Sequence, residues 1–149
     1  MSLKFRLLLL ALVPLCCLIL FAGRATLENT SRAREMEDVE DLARLAAAIG
    51  ALVHELQKER GMSAGFIGSK GTNFASELPQ QRSEVDTKRT GFSAKLAEFN
   101  AGRFDQRLQA HLAEAGRQLT ELVTTRQSVS DLRLSGSQAI AFYSKTIGS

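Results

Sequence analysis

The sequence predicts an all-α protein: an antiparallel (up-down) four-helix bundle preceded by an N-terminal transmembrane helix. Beyond residue 36, apolar residues recur at three- and four-residue spacing, and no run alternates in polarity long enough to form a strand. Each amphipathic helix must bury its apolar stripe against another helix, which a bundle achieves with short connections. With no Trp and one Tyr among 149 residues, a sandwich of aromatic-rich strands is excluded.

The first element is an unbroken apolar run at residues 7–22, LLLLALVPLCCLILFA. As a helix, sixteen residues rise roughly 24 Å, close to the thickness of a hydrocarbon core. Lys4 and Arg6 precede the run, so the charge bias places the N-terminus in the cytoplasm and residues 25–149 in the periplasm. Residues 1–24 are thus predicted to be a cytoplasmic tip and single-pass anchor in a bacterial inner membrane. A cleaved signal peptide is the alternative interpretation.

The net charge of +3 comes from this N-terminal segment. Lys4, Arg6 and Arg24 lie in residues 1–24, which contain no acidic residue, and the remaining body has equal numbers of basic and acidic residues. A neutral body has no field that would attract a polyanion, so no nucleic-acid partner is predicted. Cys16 and Cys17 lie inside the apolar run, which excludes a disulfide framework and a structural zinc site.

The first helix of the body is predicted from residue 36 onward. It either starts at the cap candidates of residues 29–31 or is continuous with the membrane segment. Its apolar stripe extends toward a glycine-rich segment at residues 61–71, and a turn is predicted at 68–73. The residues of the stripe are Met36, Val39, Leu42, Leu45, Ile49, Leu52, Val53 and Leu56.

Three further helices follow, with turns predicted near 100–103 and 133–137. The second helix is expected to carry residues 74–99, with Pro79 in its first turns, where a missing N–H costs least. The third covers residues 104–132. The fourth is capped by Ser137 and presents Ala139, Ile140, Tyr143 and Ile147. Because it stops at residue 149 after about three turns, we expect the last helix to be incomplete and the domain truncated.

Signatures of an enzyme are missing from the sequence. Its glycines lack the lysine-serine context of a phosphate-binding loop, and His54 and His111 are the only histidines, too few for a catalytic zinc site. The sequence therefore predicts a protein that is not an enzyme and has no cofactor or metal.

Arginines next to small residues are the feature that suggests binding. Arg60 precedes Gly61, Ser63 and Gly65, and Arg82 lies four residues before Asp86 on one helix face. A buried guanidinium offers a planar fork of donors that suits a small planar oxyanion. On spacing alone, the alternative hypothesis is an arginine–carboxylate pair that only fixes helix register.

Residues 52–71, LVHELQKERGMSAGFIGSKG, followed by residues 74–86, FASELPQQRSEVD, resemble the nitrate- and nitrite-sensing (NIT) domain of bacterial receptors. The resemblance covers roughly residues 45–149. It implies a helical sensory domain placed after a membrane helix and upstream of an output module such as a chemoreceptor, histidine kinase, cyclase or RNA-binding domain. No such output module is found in this sequence, and the family domain is normally longer.

The resemblance also implies a ligand and its contacts. Arg60, in Glu-Arg-Gly, matches the family's ligand arginine, Arg82 is the second candidate, and a further arginine would come from a helix beyond Ser149. The expected function is a membrane-anchored sensory input domain that binds nitrate or nitrite and relays it by helix repacking in signal transduction such as chemotaxis. A homodimer is compatible with this expectation. The alternative is an exported helical scaffold or adaptor without a small-molecule ligand.

Overall fold

A computed structural model describes the backbone of residues 3–148 and the side chains of residues 36–148. Within the described backbone there are four α-helices and no strand: α1 (Leu3–Gly68), α2 (Glu77–Glu98), α3 (Gln106–Ser130) and α4 (Gly136–Gly148), with a 3-10 turn at Ala101–Arg103 between α2 and α3. The all-α prediction is confirmed. The chain divides into two compact units, Met1–Leu42 and Ala43–Ser149, and the second unit contains the bundle.

Helix α1 runs without a break through residues 29–31, so the helix is continuous and those residues do not cap it. The predicted membrane segment, residues 7–22, lies outside the residues whose side chains are described. Among the described residues, none of the helices contains an apolar stretch long enough to cross a membrane.

The apolar stripe of α1 is buried only from Leu45 onward. Leu45, Leu52 and Leu56 are at most 5% exposed, whereas Met36 and Val39 are 75% and 66% exposed. Met36 and Val39 belong to the first unit, and the bundle core begins in the second. The periodicity therefore predicts the helix correctly but not where its stripe becomes buried.

The turn between α1 and α2 lies where the glycine-rich segment predicts it. Gly71 and Lys70 have positive φ angles of 87° and 55°, which reverse the chain after Gly68. Helix α2 begins only at Glu77, so the assignment of Phe74 to this helix is wrong: Phe74 lies in the turn with a φ of 63°. Its ring covers Gly65, where an added Cβ would lie 2.6 Å from Phe74 Cε2.

The N-terminal ends of α2, α3 and α4 are explained by local backbone chemistry and hydrogen bonds. Pro79 is the third residue of α2, in the first turn, where backbone N–H groups have no helical partner. Asp105 caps α3 by accepting a hydrogen bond from the Leu108 amide at 2.8 Å. Ser135, rather than the predicted Ser137, caps α4: its hydroxyl accepts from the Gln138 amide, and Gln138 Oε1 accepts from the Ser135 amide. This reciprocal pair is a capping box.

Contacts between α2 and α3 show that the two helices run antiparallel. Arg82, near the start of α2, contacts Ser130 at the end of α3, and Arg89, about two turns later, contacts the Leu119 carbonyl. The core buries one face of each helix, but on α4 the buried residues are Ala139, Tyr143 and Thr146. Ile140, predicted on this face, is 44% exposed. The short α4 therefore packs mainly through Tyr143, which is fully buried.

Candidate functional site

A carboxylate sits at the centre of the bundle. Glu59 of α1 is fully buried, and Arg126 of α3 meets it with two hydrogen bonds, from Nε to Oε1 at 2.7 Å and from Nη2 to Oε2 at 2.8 Å. This bidentate geometry matches the planar fork of the guanidinium to both carboxylate oxygens. A buried charge requires such a partner, because taking it out of water unpaired costs several kcal/mol.

The other two helices also contribute to this centre. Arg126 Nη1 donates to Asp86 Oδ1 of α2 at 2.8 Å, and the Tyr143 hydroxyl of α4 donates to Glu59 Oε1 at 2.7 Å. Every helix of the bundle therefore places at least one side chain in a single polar layer. We call this set the ionic layer; it consists of Glu59, Arg82, Asp86, Arg126 and Tyr143.

Arg82 lies at the edge of the ionic layer. Its Nη1 donates to Ser130 Oγ at 2.9 Å and its Nη2 to the Arg126 carbonyl at 3.2 Å, while Nε lies 3.7 Å from Glu59 Oε1. That Nε is buried and makes no hydrogen bond with the described residues. Burial lowers the pKa of Arg82, and the negative charge of Glu59 partly offsets this effect.

The charges of the ionic layer compensate one another. Burial disfavours the charged form of Arg126, but the hydrogen bonds and charges of Glu59 and Asp86 outweigh this and raise its pKa. Burial and the neighbouring Glu59 carboxylate raise the pKa of the Tyr143 phenol, which therefore stays neutral and acts as a donor. Two arginines facing two carboxylates leave no net charge to attract an anion.

Arg60 has a different environment, although it follows Glu59 directly. Its Nη1 donates to Ser144 Oγ of α4 at 3.0 Å. Within residues 36–148 no carboxylate forms an ion pair with Arg60, so its charge is balanced by no acidic side chain there. Arg60 thus presents a cation that is available to an anion.

The two arginines predicted to bind the anion have different partners. Arg60 donates to α4 and Arg82 donates to α3, so their hydrogen bonds go to different helices. Arg82 and Asp86, predicted on one helix face, have different short contacts. Asp86 accepts from Arg126 at 2.8 Å and lies 3.9 Å from Arg89 Nη2, whereas the terminal nitrogens of Arg82 donate to Ser130 and the Arg126 carbonyl.

Several polar residues of the sequence motif hold the helices together. Gln81 Nε2 donates to Glu55 Oε2 at 2.7 Å and to the Glu55 carbonyl at 3.1 Å, which ties α2 to α1. The pKa of Glu55 is lowered mainly by the hydrogen bond from Lys58 and, to a smaller extent, by the one from Gln81. Four residues further along α1, Glu59 binds Arg126, and four beyond that, the Ser63 hydroxyl lies 3.5 Å from the Tyr143 hydroxyl. On α1, the motif therefore has one helix face whose residues contact the other helices, and Arg60 lies apart from these residues.

Sequence analysis missed Glu59, Arg126 and Tyr143 as members of one polar centre. A signal was present, because Glu59 continues the core spacing of Leu52 and Leu56, and Arg126 lies between Leu122 and Val129 on the buried stripe of α3. Because a charged residue at a core position needs a partner, the sequence positions of Glu59 and Arg126 already suggest that the two could pair.

Comparisons with known proteins agree with the motif. The family model described as "Nitrate and nitrite sensing" (NIT) matches residues 51–149, which confirms the resemblance of the motif. Among solved structures, the chain is similar to the "Structure of the NasR transcription antiterminator", with 31% sequence identity and a TM-score of 0.70. That similarity covers 82% of this chain and 34% of the other, so this chain spans about a third of that protein's length. No match was found among curated proteins.

The first prediction concerns the buried pair. Glu59→Gln keeps the shape of the side chain but leaves Arg126 with Asp86 alone, and we expect it to lower the free energy of unfolding by about 3–5 kcal/mol. Chemical denaturation followed by circular dichroism measures the change. Glu114→Gln, which removes a carboxylate from the exposed Arg117 pair, is the matched control and should have a far smaller effect. Equal effects of the two substitutions would contradict a central role for Glu59.

A second prediction follows from the raised pKa of Tyr143. Because the folded state favours the neutral phenol, its contribution to stability is complete below the ordinary pKa of 10.0 and is lost as pH rises through the folded value. Tyr143 is the only tyrosine, so ultraviolet absorbance reports on it alone. At about pH 11 the urea-unfolded chain should be mostly phenolate and the folded chain mostly phenol. A folded protein that titrates like the unfolded chain would refute this burial.

Proposed function

The chain belongs to the nitrate- and nitrite-sensing family, and on that premise we propose that it is a sensory input domain that binds nitrate or nitrite at Arg60. Its guanidinium offers two parallel N–H donors to a planar oxyanion. The observation that carries the proposal is the difference in charge compensation: Arg126 is paired with Glu59 and Asp86, whereas Arg60 has only the neutral hydroxyl of Ser144 as a partner within the described bundle.

Arg82, the second arginine predicted from the motif, is better explained as part of the ionic layer. It lies 3.7 Å from Glu59 and its two terminal nitrogens are engaged by Ser130 and the Arg126 carbonyl. An anion at Arg82 would have to compete with the Glu59 carboxylate, which disfavours binding there. We therefore assign the anion contact to Arg60 and a supporting role to Arg82.

Signalling would follow from a population shift. An anion that binds one packing of the bundle more tightly than another favours that packing by its difference in affinity. Helix α1 carries Arg60 and is continuous from Leu3 to Gly68, which supports a relay along this helix toward the N-terminus. Such a relay would require an output module that responds to the change in α1.

Anchoring in the inner membrane is proposed on the sequence alone. The apolar run of residues 7–22, preceded by Lys4 and Arg6, supports an anchor with a cytoplasmic N-terminus and a periplasmic body. A signalling module would then receive the change across the membrane. These assignments belong to the proposal and rest on the hydropathy and charge pattern.

A helical scaffold without a ligand is the second candidate function. It is favoured by the structural use of the motif, since Glu55, Glu59 and Ser63 all contact other helices. In this hypothesis Arg60 only ties α1 to α4 through Ser144. The two candidates differ in one observable, the stabilisation of the fold by nitrate.

The third prediction separates them by thermal melting with nitrate, nitrite and chloride. Nitrate at about 100 times its Kd should raise the free energy of unfolding by about 2.7 kcal/mol, because a ligand stabilises the state that it binds. Arg60→Ala should weaken binding roughly ten- to hundredfold, and Arg60→Lys should also bind poorly because the ammonium lacks the planar fork.

Arg117→Ala is the matched control, since it removes an arginine whose charge is already paired with Glu114 and Glu121. Its response to nitrate should equal that of the wild type. If nitrate raises the melting temperature of the wild type no more than chloride does, the scaffold hypothesis is supported and the proposal of nitrate sensing is wrong.

A further inference from the structure

Two adjacent contacts join α1 to α4, and each uses neighbouring residues on both helices. Glu59 accepts from the Tyr143 hydroxyl at 2.7 Å inside the bundle, and Arg60 donates to Ser144 Oγ at 3.0 Å nearer the surface. The buried contact and the more exposed contact therefore lie side by side at one level of the bundle. A change in the Arg60–Ser144 contact therefore acts on the two helices that the Glu59–Tyr143 contact holds together.

Ser144 has an unused donor. Its oxygen accepts from Arg60, and its own O–H finds no acceptor among the described residues, whereas Thr146 on the same helix donates to the Phe142 carbonyl. Within residues 36–148, a guanidinium that no carboxylate neutralises and a hydroxyl whose proton has no protein acceptor are thus joined by one 3.0 Å hydrogen bond. Both groups are donors that an oxyanion can satisfy at once.

The pair Arg82–Ser130 provides an internal comparison, because it has nearly the same geometry, with Nη1 2.9 Å from Oγ. There the arginine has the Glu59 carboxylate at 3.7 Å, and Ser130 donates its proton to the Arg126 carbonyl at 3.0 Å. Both the charge and the hydroxyl proton of this pair are satisfied inside the protein. Of these two arginine–serine pairs of the described bundle, Arg60–Ser144 is the one that keeps an uncompensated charge and a hydroxyl proton for a ligand.

We infer that Ser144 is the second donor to the anion bound at Arg60, so that nitrate or nitrite bridges α1 and α4. This inference rests on the proposed function and adds a residue and a location to it. An oxyanion that accepts from both side chains replaces their direct hydrogen bond and changes the spacing of the two helices. The change occurs one residue away from Glu59 and Tyr143 and so reaches the ionic layer.

The test is calorimetric titration of the protein with sodium nitrate, with sodium chloride at equal ionic strength as the reference. Ser144→Ala should weaken nitrate binding about tenfold or more, because it removes a hydrogen bond to a charged group. Ser144→Thr keeps the hydroxyl and should stay near the wild-type affinity. Ser130→Ala, the matched control, should leave the affinity unchanged.

The outcomes distinguish this inference from the proposed function. If wild type binds nitrate and Ser144→Ala binds it equally well, the assignment of Ser144 is wrong while the proposed function stands. If the wild type does not bind nitrate, the proposed function is wrong, and the assignment of Ser144 is wrong with it. If Ser130→Ala weakens nitrate binding and Ser144→Ala does not, the anion binds at Arg82 and the inference is overturned.

Tyr143 supplies a second readout that does not depend on affinity. As the only tyrosine, it gives a single Cζ resonance in protein whose tyrosine carries ¹³C at that ring carbon. Saturating nitrate should shift this resonance, because the α1–α4 contact changes beside the Tyr143–Glu59 hydrogen bond. An unshifted resonance at full nitrate occupancy would contradict the bridging of the two helices at this level.

Discussion

The fold depends on the pairing of Glu59 with Arg126. A fully buried carboxylate is tolerated only with a partner that satisfies its charge and its oxygens, and that partner comes from a helix 67 residues away in sequence. Tyr143 and Asp86 complete the arrangement from the remaining two helices. A buried ion pair often adds little net stability compared with apolar packing, so we ascribe to it the fixing of helix register. Sliding any one helix by a turn would break a contact that water cannot replace.

This constraint also explains why neighbouring arginines differ in role. The ionic layer consumes the charges of Arg82 and Arg126, because both lie beside carboxylates in a poorly solvated interior. Arg60 follows Glu59 on the helix but lies nearer the surface, where its partner is a neutral hydroxyl. A small anion is attracted most by a cation whose charge no carboxylate already neutralises. The motif thus contains a residue that holds the bundle together and, next to it, a residue whose charge no carboxylate of the described residues neutralises.

The sequence predicts those features that depend on local chemistry. Periodicity predicts the helices, glycines predict the turn after residue 68, and Pro79 marks the first turn of α2. The sequence does not predict features that depend on contacts between helices distant along the chain. These are the burial of Tyr143, the exposure of Ile140 and the partner of Glu59. The choice of Ser135 over Ser137 as a cap depends on a reciprocal bond with Gln138. Arg60 is a candidate because of the small residues that follow it and because of the family resemblance, and the structure adds the absence of an acidic partner within the described bundle.

The central claim is that Arg60, unlike the arginines of the ionic layer, carries the anion. Its most direct test is NMR of ¹⁵N-arginine side chains during titration with nitrate, with the Nε–H signals assigned by single Arg→Lys substitutions. The account predicts a saturable shift of the Arg60 signal, larger than those of Arg82 and Arg126, and no such shift with chloride. A saturable shift centred on Arg82 or Arg126, with the Arg60 signal unmoved, would contradict it.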